Sequence, residues 1–293
     1  YTLSVVAILV SFLSLGFRGL NFGVDFTGGT LVEMGFPEAV ETAYVARHLR
    51  DAGITISTIQ HFGTDRDVLA RIPPKAEIDK VRIQDQVVEA FKDGSGPVPE
   101  VRRVEIVGAQ VGGELVESGG LAVLIALGGI AIYIWLRFER RFAIGALAAT
   151  VHDPVLTLGY FSLTGTEFDL TVLAAILAVV GYSVNDTIVI FDRIRENFRR
   201  MRKSSPKDVV NASVNQTMSR SAITSGTTLM VVIAMFIFGG PLLHGFSLAL
   251  IIGIVVGTYS SIYVASTVAL DLGATRMDLM PIDKETGKPA EDA

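Results

Sequence analysis

Six stretches of this chain are apolar for close to the roughly 20 residues that a helix needs to cross the hydrocarbon of a bilayer. They cover residues 1–17, 115–136, 142–163, 170–191, 221–238 and 246–270. Half of the 293 residues are hydrophobic, 19% are charged, and the mean hydropathy is +0.49. An average soluble domain is about 25% charged. Because the apolar residues are collected in runs, the expected fold is a polytopic bundle of six transmembrane helices. The first run could instead be a signal peptide, but no small-residue cleavage site follows it and five more spans need its membrane side to be consistent.

Lysine and arginine in short loops mark the cytoplasmic side. Arg137, Arg140 and Arg141 fall between spans two and three, and Arg193, Arg195, Arg199, Arg200, Arg202 and Lys203 follow span four. Residues 164–169 and 239–245, in the opposite loops, carry neither. Both termini are therefore expected in the cytoplasm and the long segment after span one outside. The expected organisation is a first span over 1–20, an external periplasmic domain over 21–113, spans two to six over 114–270 and a polar cytoplasmic tail over 271–293.

The external segment alternates in period. Strands are expected over 30–36, 55–62, 68–72 and 98–107, with amphipathic helices over 38–52 and 75–91. Gly53 ends the first helix, and Gly63-Thr64-Asp65 forms the turn between the middle strands. The order β-α-β-β-α-β is the split pattern of a ferredoxin-like α/β domain.

Net charge is −5 and no basic stripe with interleaved aromatics occurs, so a nucleic-acid partner is not expected. The chain has no cysteine, which removes disulfides, thiolate metal sites and a cysteine nucleophile. No zinc spacing, nucleophile elbow or dinucleotide fingerprint is present, so no metal or other cofactor is expected, and the chain reads as a non-enzyme.

Ionisable groups inside hydrocarbon cost about 2.5–3.5 kcal/mol on insertion scales and are candidates for function. Asp186 lies in span four, preceded by Asn185, and Arg220 stands where span five enters the membrane. An aspartate and an arginine that meet and part can hold and release a proton. The same pair can also simply lock helix packing, and Arg220 can snorkel to the interface. His152 and Asp153 fall near the middle of span three, before Pro154. Neighbouring positions on a helix point about 100° apart, so these two are not expected to face each other. They read either as a proton relay or as two groups bonded to adjacent helices at a kink. The run Gly23-Val24-Asp25-Phe26-Thr27-Gly28-Gly29-Thr30 lacks the Lys-Ser/Thr of a phosphate loop and reads as a tight connection. Gly112-Gly113 reads as a hinge into span two, and Gly253 and Gly257 suit close helix packing.

Several of these stretches resemble one family. Residues 19–30, GLNFGVDFTGGT, are similar to the signature that opens the external domain of SecD and SecF proteins. So are IVGAQVGGEL (106–115), GYSVNDTIVIFDRIRENFR (181–199), SRSAITSGTTLM and FGGPLLHGFS, in the same order. On these motifs the chain resembles the SecF members of the SecD/SecF family of Sec protein-export membrane subunits. The resemblance implies a fold like that of the resistance-nodulation-division transporters and a function beside SecD. There the pair uses the proton-motive force to promote translocation of unfolded precursors across the bacterial cytoplasmic (inner) membrane. It implies as partners SecD, the channel SecY, SecE and SecG, membrane lipid, and also YajC and YidC. It links the aspartate and arginine matching Asp186 and Arg220 to proton conduction; on the reading of the residues, Asn185, Asp153 and His152 are further candidates on the pathway. Gly23, Asp25, Thr27, Gly28 and Gly29 become the structural loop motif. Two other readings remain: a scaffold that conducts nothing, and a small-molecule exporter, which usually carries larger external domains.

Overall fold

In the computed structural model the described residues are 2–74, 80–92 and 96–274. Five helices are long and apolar enough to cross a bilayer. They are α5 (Ala109–Arg137), α6 (Arg140–Thr164), α7 (Leu170–Arg200), α8 (Pro206–Phe238) and the run that begins with α9 (Pro241–Tyr259). That run continues through a π-helical turn, Ser260–Ala265, into α10 (Ser266–Asp271). The first span is shorter, with α1 (Thr2–Phe17) giving 16 residues.

The burial pattern explains why these helices need lipid. The buried residues of α1 are Ser4, Ser11 and Ser14, while Leu9, Phe12, Leu13 and Phe17 are exposed. A helix in water would turn the other way round. Here the serines form a seam against α6. Ser14 bonds Ser162 at 2.8 Å, and a Cβ on Gly159 would collide with Ser11. Small polar residues inside and apolar residues outside is how helices associate when lipid, not water, surrounds them.

Glycines set the closest approach in the bundle. A Cβ on Gly253 would stand 2.4 Å from a Val179 methyl, and one on Gly257 would stand 3.1 Å from Ser183. So α9 packs on α7 through the spacing expected for it. Gly112 and Gly113, expected as a hinge, instead lie inside the first turns of α5. Gly112 is there because the chain at Phe26–Gly28 crosses its surface, 2.9–3.0 Å from where a Cβ would be.

The sheet domain follows the expected order. Its strands are β2 (Gly29–Gly35), β3 (Thr58–Phe62), β4 (Thr64–Ile72) and β5 (Glu100–Val107), with helices α3 (Thr42–Asp51) and α4 (Lys80–Glu89). The sheet order β3-β4-β2-β5, all antiparallel, is that of a ferredoxin-like domain. Val32, Met34, Val68, Ala70 and Ile72 point from one face onto Val45, Leu49, Ile83, Val87 and Phe91 of the helices and the segment after them. Strand β4 starts at Thr64, earlier than its apolar pattern indicates, and the turn tightens to Gly63, whose φ is +85°. The pairing with β3 jumps from His61–Val68 to Phe62–Thr64, so charged residues 65–67 bulge out of that ladder, and Asp67 pairs instead with Gly35 of β2. Residues 75–79, part of the expected second helix, and most of the expected tail lie outside the described residues.

Two further differences concern the bundle. The membrane portions of α7 and α8 run on beyond the apolar runs, so only residues 201–205 separate these helices. Arg220 is consequently in the interior of α8 and not at its start. The segment before the sheet belongs with the bundle. Strand β1 (Asn21–Phe22) pairs in parallel with β6 (Glu167–Phe168), between α6 and α7, and not with the four-stranded sheet.

Candidate functional site

The loop motif fastens the sheet domain to the bundle. Residues Val24–Thr27 form the one-turn helix α2, closed by Thr27 Oγ1 donating to the Gly23 carbonyl at 3.1 Å. Gly28 and Gly29 have φ of +69° and +126°, where a side chain is strained. Asp25 Oδ2 accepts from the backbone N–H of Leu170 at 3.1 Å, so it places a carboxylate at the start of α7. Asp169 caps the same end through the N–H of Val172 at 2.8 Å. Phe26 stacks on Phe168. Asp25 and the Gly23 N–H, which donates to the Phe168 carbonyl at 2.8 Å, thus bond directly to the bundle side of this junction.

A second fastening was not foreseen. Arg71, on the sheet face opposite the helices, pairs with Glu167 and donates to the Phe22 carbonyl at 2.6 Å. Its side chain is 8% exposed, and that of Glu167 is 22% exposed. Burial pushes the Glu167 carboxyl above its ordinary range; Arg71 opposes this, and Asp169 and Asp25 add to the rise. An arginine in an otherwise apolar strand was the available signal, but strand alternation assigns it to solvent. Between this sheet face and the bundle end lies a cleft of about 940 Å³, lined in part by Glu33, His61, Arg103, Thr171 and His244.

At the other end of the bundle, charged pairs tie the α5–α6 turn to α7. Arg137 donates to both oxygens of Asp192 at 2.7 and 2.8 Å, and Arg195 pairs with Glu139 at 3.0 Å.

Between these ends stand the membrane-embedded candidates. Asp186 faces α8, where Ser221 Oγ donates to its Oδ1 at 2.6 Å. Its Oδ2 is buried without a protein partner. Arg220 precedes Ser221 and is close enough for its charge to act on that carboxylate, but its side chain is exposed on the surface of the chain. Asn185 is exposed as well and does not join Asp186. One turn along α8, Ser225 takes a bond from Tyr182 at 3.2 Å and shares one with Thr258 of α9 at 2.7 Å.

His152 and Asp153 form a separate group. Contrary to the expectation from helix geometry, they meet: His152 Nδ1 and Asp153 Oδ1 are 2.9 Å apart. The 100° between their Cα–Cβ directions is closed because both side chains fold toward the bundle interior, where each is essentially buried. The other Asp153 oxygen accepts from Ser183 of α7, as the reading of a bond to a neighbouring helix requires. His152 makes no such bond to another helix. Among the described residues no cluster of His, Cys, Asp or Glu has the makings of a metal site.

Comparison with known proteins places this arrangement in a family. Residues 87–275 match the model of protein export membrane protein SecD/SecF, C-terminal, and residues 13–36 match the SecD/SecF GG motif. The chain is 50% identical to the protein translocase subunit SecF of Vibrio alginolyticus, over 97% of this chain and 91% of that one. With SecF of Escherichia coli O157:H7 it is 41% identical over 97% of this chain and 89% of the relative. The crystal structure of SecDF from Thermus thermophilus, a translocon-associated membrane protein, superimposes with a TM-score of 0.82 at 34% identity. That match covers 92% of this chain and 37% of the longer SecDF chain. The apolar bundle, the docked ferredoxin-like sheet and the glycine-rich junction between them thus belong to a membrane protein of the SecD/SecF family, as a SecF-type protein translocase subunit.

Proposed function

We propose that this chain, paired with a SecD subunit, uses the proton gradient to promote movement of unfolded polypeptides across the bacterial cytoplasmic membrane, with Asp186 and Arg220 carrying the proton-linked step. The observation that carries the reading is Asp186 itself. It is a carboxylate in a membrane helix with one oxygen held by Ser221 and the other buried and unpartnered. Such a group is costly unless it works or is paired. With the guanidinium of Arg220 near, the ionised form is favoured; with it withdrawn, the protonated form is favoured.

The arginine-rich end lies away from the sheet domain, so that end is read as cytoplasmic and the sheet domain as external. The exposed side chains of α8 include Ile223, Met230, Val231 and Ile237, and those of α5 include Leu121, Leu124, Ile125 and Leu136. Helices of SecD fit this open apolar face, and they would enclose Arg220, which has only half an environment in the isolated chain. The polypeptide channel of SecY, SecE and SecG would lie beside the pair. Nothing in the chain's own surface singles out YajC or YidC.

The test is export into inverted membrane vesicles carrying the chain with SecD. Asp186→Asn keeps the shape and removes the proton site. It is expected to abolish stimulation by the gradient while leaving insertion and SecD binding intact. Arg220→Lys keeps the charge without the forked geometry and is expected to retain part of the stimulation. Wild-type stimulation in Asp186→Asn overturns the proposal and favours a scaffold.

A further inference from the structure

We propose that His152 and Asp153 form a second proton-binding site, independent of Asp186, at which the proton is taken and released by His152 Nε2. The carboxylate of Asp153 is fully buried and both its oxygens are engaged, one by His152 Nδ1 and one by Ser183. With Asp153 ionised, the bond to Nδ1 puts the imidazole hydrogen on that atom, since a carboxylate can only accept. This leaves Nε2 as the atom that gains or loses a proton. Nε2 is buried and has no hydrogen-bond partner in the protein.

Charge counting then favours a proton as the ligand. Neutral His152 beside ionised Asp153 leaves one uncompensated negative charge among packed helices. A proton on Nε2 makes the pair neutral overall. Among the described residues the surroundings supply no other ionic compensation. From α7 the facing groups are Ser183 and Thr187, and from the π-helical turn Ser261, which receives from Thr187 at 2.9 Å and donates to the Ser183 carbonyl at 3.1 Å. From α9 the facing titratable group is Tyr259, its ring 6.4 Å from that of His152 and its hydroxyl bonded by Ser4 of α1. Asp186 turns to α8 instead. A metal cation would have to displace the bonds that already occupy both oxygens of Asp153. Ser261 lies within the π-helical turn, a departure from regular helix that often occurs at functional sites. The turn sets Ser261 against Ser183, so a change of charge on His152, passed through its bond to Asp153 and from there to Ser183, is felt where α7, α6 and the last span meet.

The chain has four histidines, which makes the site directly observable. The chain is labelled with ¹⁵N-histidine, assembled with SecD in lipid nanodiscs and titrated, with the His152 signal assigned from its loss in His152→Gln. The expected result is a His152 Nε2 resonance that moves from the unprotonated to the protonated position as pH falls. Asp153→Asn is expected to hold it unprotonated over the same range. Asp186→Asn is expected to leave the titration unchanged, whatever it does to export, so the two sites fail or stand separately. A His152 signal that keeps one protonation state throughout the wild-type titration overturns the proposal, and this result needs no variant that has to fold. A wild-type titration in Asp153→Asn overturns it equally.

Discussion

Replacing Arg71 with alanine is expected to release the sheet domain from the bundle. The guanidinium makes two attachments across the junction, one to Glu167 and one to the Phe22 carbonyl at 2.6 Å. A hydrogen bond from a charged donor contributes about 1.5–3 kcal/mol. The ion pair lies between two regimes. Exposed pairs contribute about 0–1 kcal/mol, and breaking a buried one costs about 3–5 kcal/mol. Arg71 is almost enclosed but Glu167 is partly hydrated and can take up a proton when left alone, so the pair is placed near the lower regime. Together the loss is about 3 kcal/mol, which raises the fraction of undocked domain somewhat more than a hundredfold. The absence of cysteine makes the assay clean, because cysteines introduced at Gln60 of the sheet and Thr171 of α7 are then the only labelling sites. Both positions are exposed. Spin-label distances between them should form one narrow distribution in the parent chain and a broad one extending to longer distances in Arg71→Ala. An unchanged narrow distribution would refute the assignment of Arg71 as a principal fastening.

The same junction has a definite pH dependence. Because the docked Glu167 carboxyl is raised from its ordinary value of 4.5 and the hydrated, undocked one is not, the docked state binds more protons. Docking is then strongest below the ordinary value and weakens as pH rises through the raised one. The spin-label distribution should narrow toward mild acid in the parent chain, and Glu167→Gln should remove the dependence. Gly253→Ala would set a methyl 2.4 Å from Val179, and overpacking of this kind costs about 1–3 kcal/mol. A lower midpoint in thermal unfolding is the expected result, and an unchanged midpoint would show that α7 and α9 part easily. A reporter fused after Phe91 should be external and one fused after Arg200 cytoplasmic; the reverse at either site contradicts the orientation drawn from the arginines.

What could be read from residue order was whatever depends on local periodicity or on an unpaired charge. Long apolar runs identify spans because a helix in lipid must satisfy its backbone internally. The strand and helix order of the sheet domain likewise follows from alternation and turn residues. Asp186 stood out because it is an ionisable group inside an otherwise apolar span. Its partner Ser221 did not, since a serine in a helix has a local acceptor and shows no sign of a bond to another helix. Helix ends were misplaced where charge and amphipathic pattern take over from apolarity, as in α7 and α8 beyond the membrane. The meeting of His152 with Asp153 depends on rotamers chosen by neighbouring helices, which spacing along one helix does not contain. Arg71 and Glu167 were invisible for the same kind of reason. Each is an ordinary surface charge until the sheet face and the α6–α7 loop are brought together.

The lengths of α7 and α8 carry a mechanical consequence. At 1.5 Å per residue, 31 and 33 residues make rods of about 46 and 50 Å, well beyond the roughly 30 Å of hydrocarbon. Asp186 sits near the midpoint of the first rod, and neither helix contains an interior proline after its first turn. A tilt about that midpoint is therefore amplified toward both tips, by about 4 Å for a rotation of about 10° over a half-length of about 23 Å. One tip is the α7 start, gripped by Asp25 of the loop that leads into the sheet; the other carries Arg199 and Arg200. A tilt of about 10° would thus move the two tips by several ångströms in opposite directions.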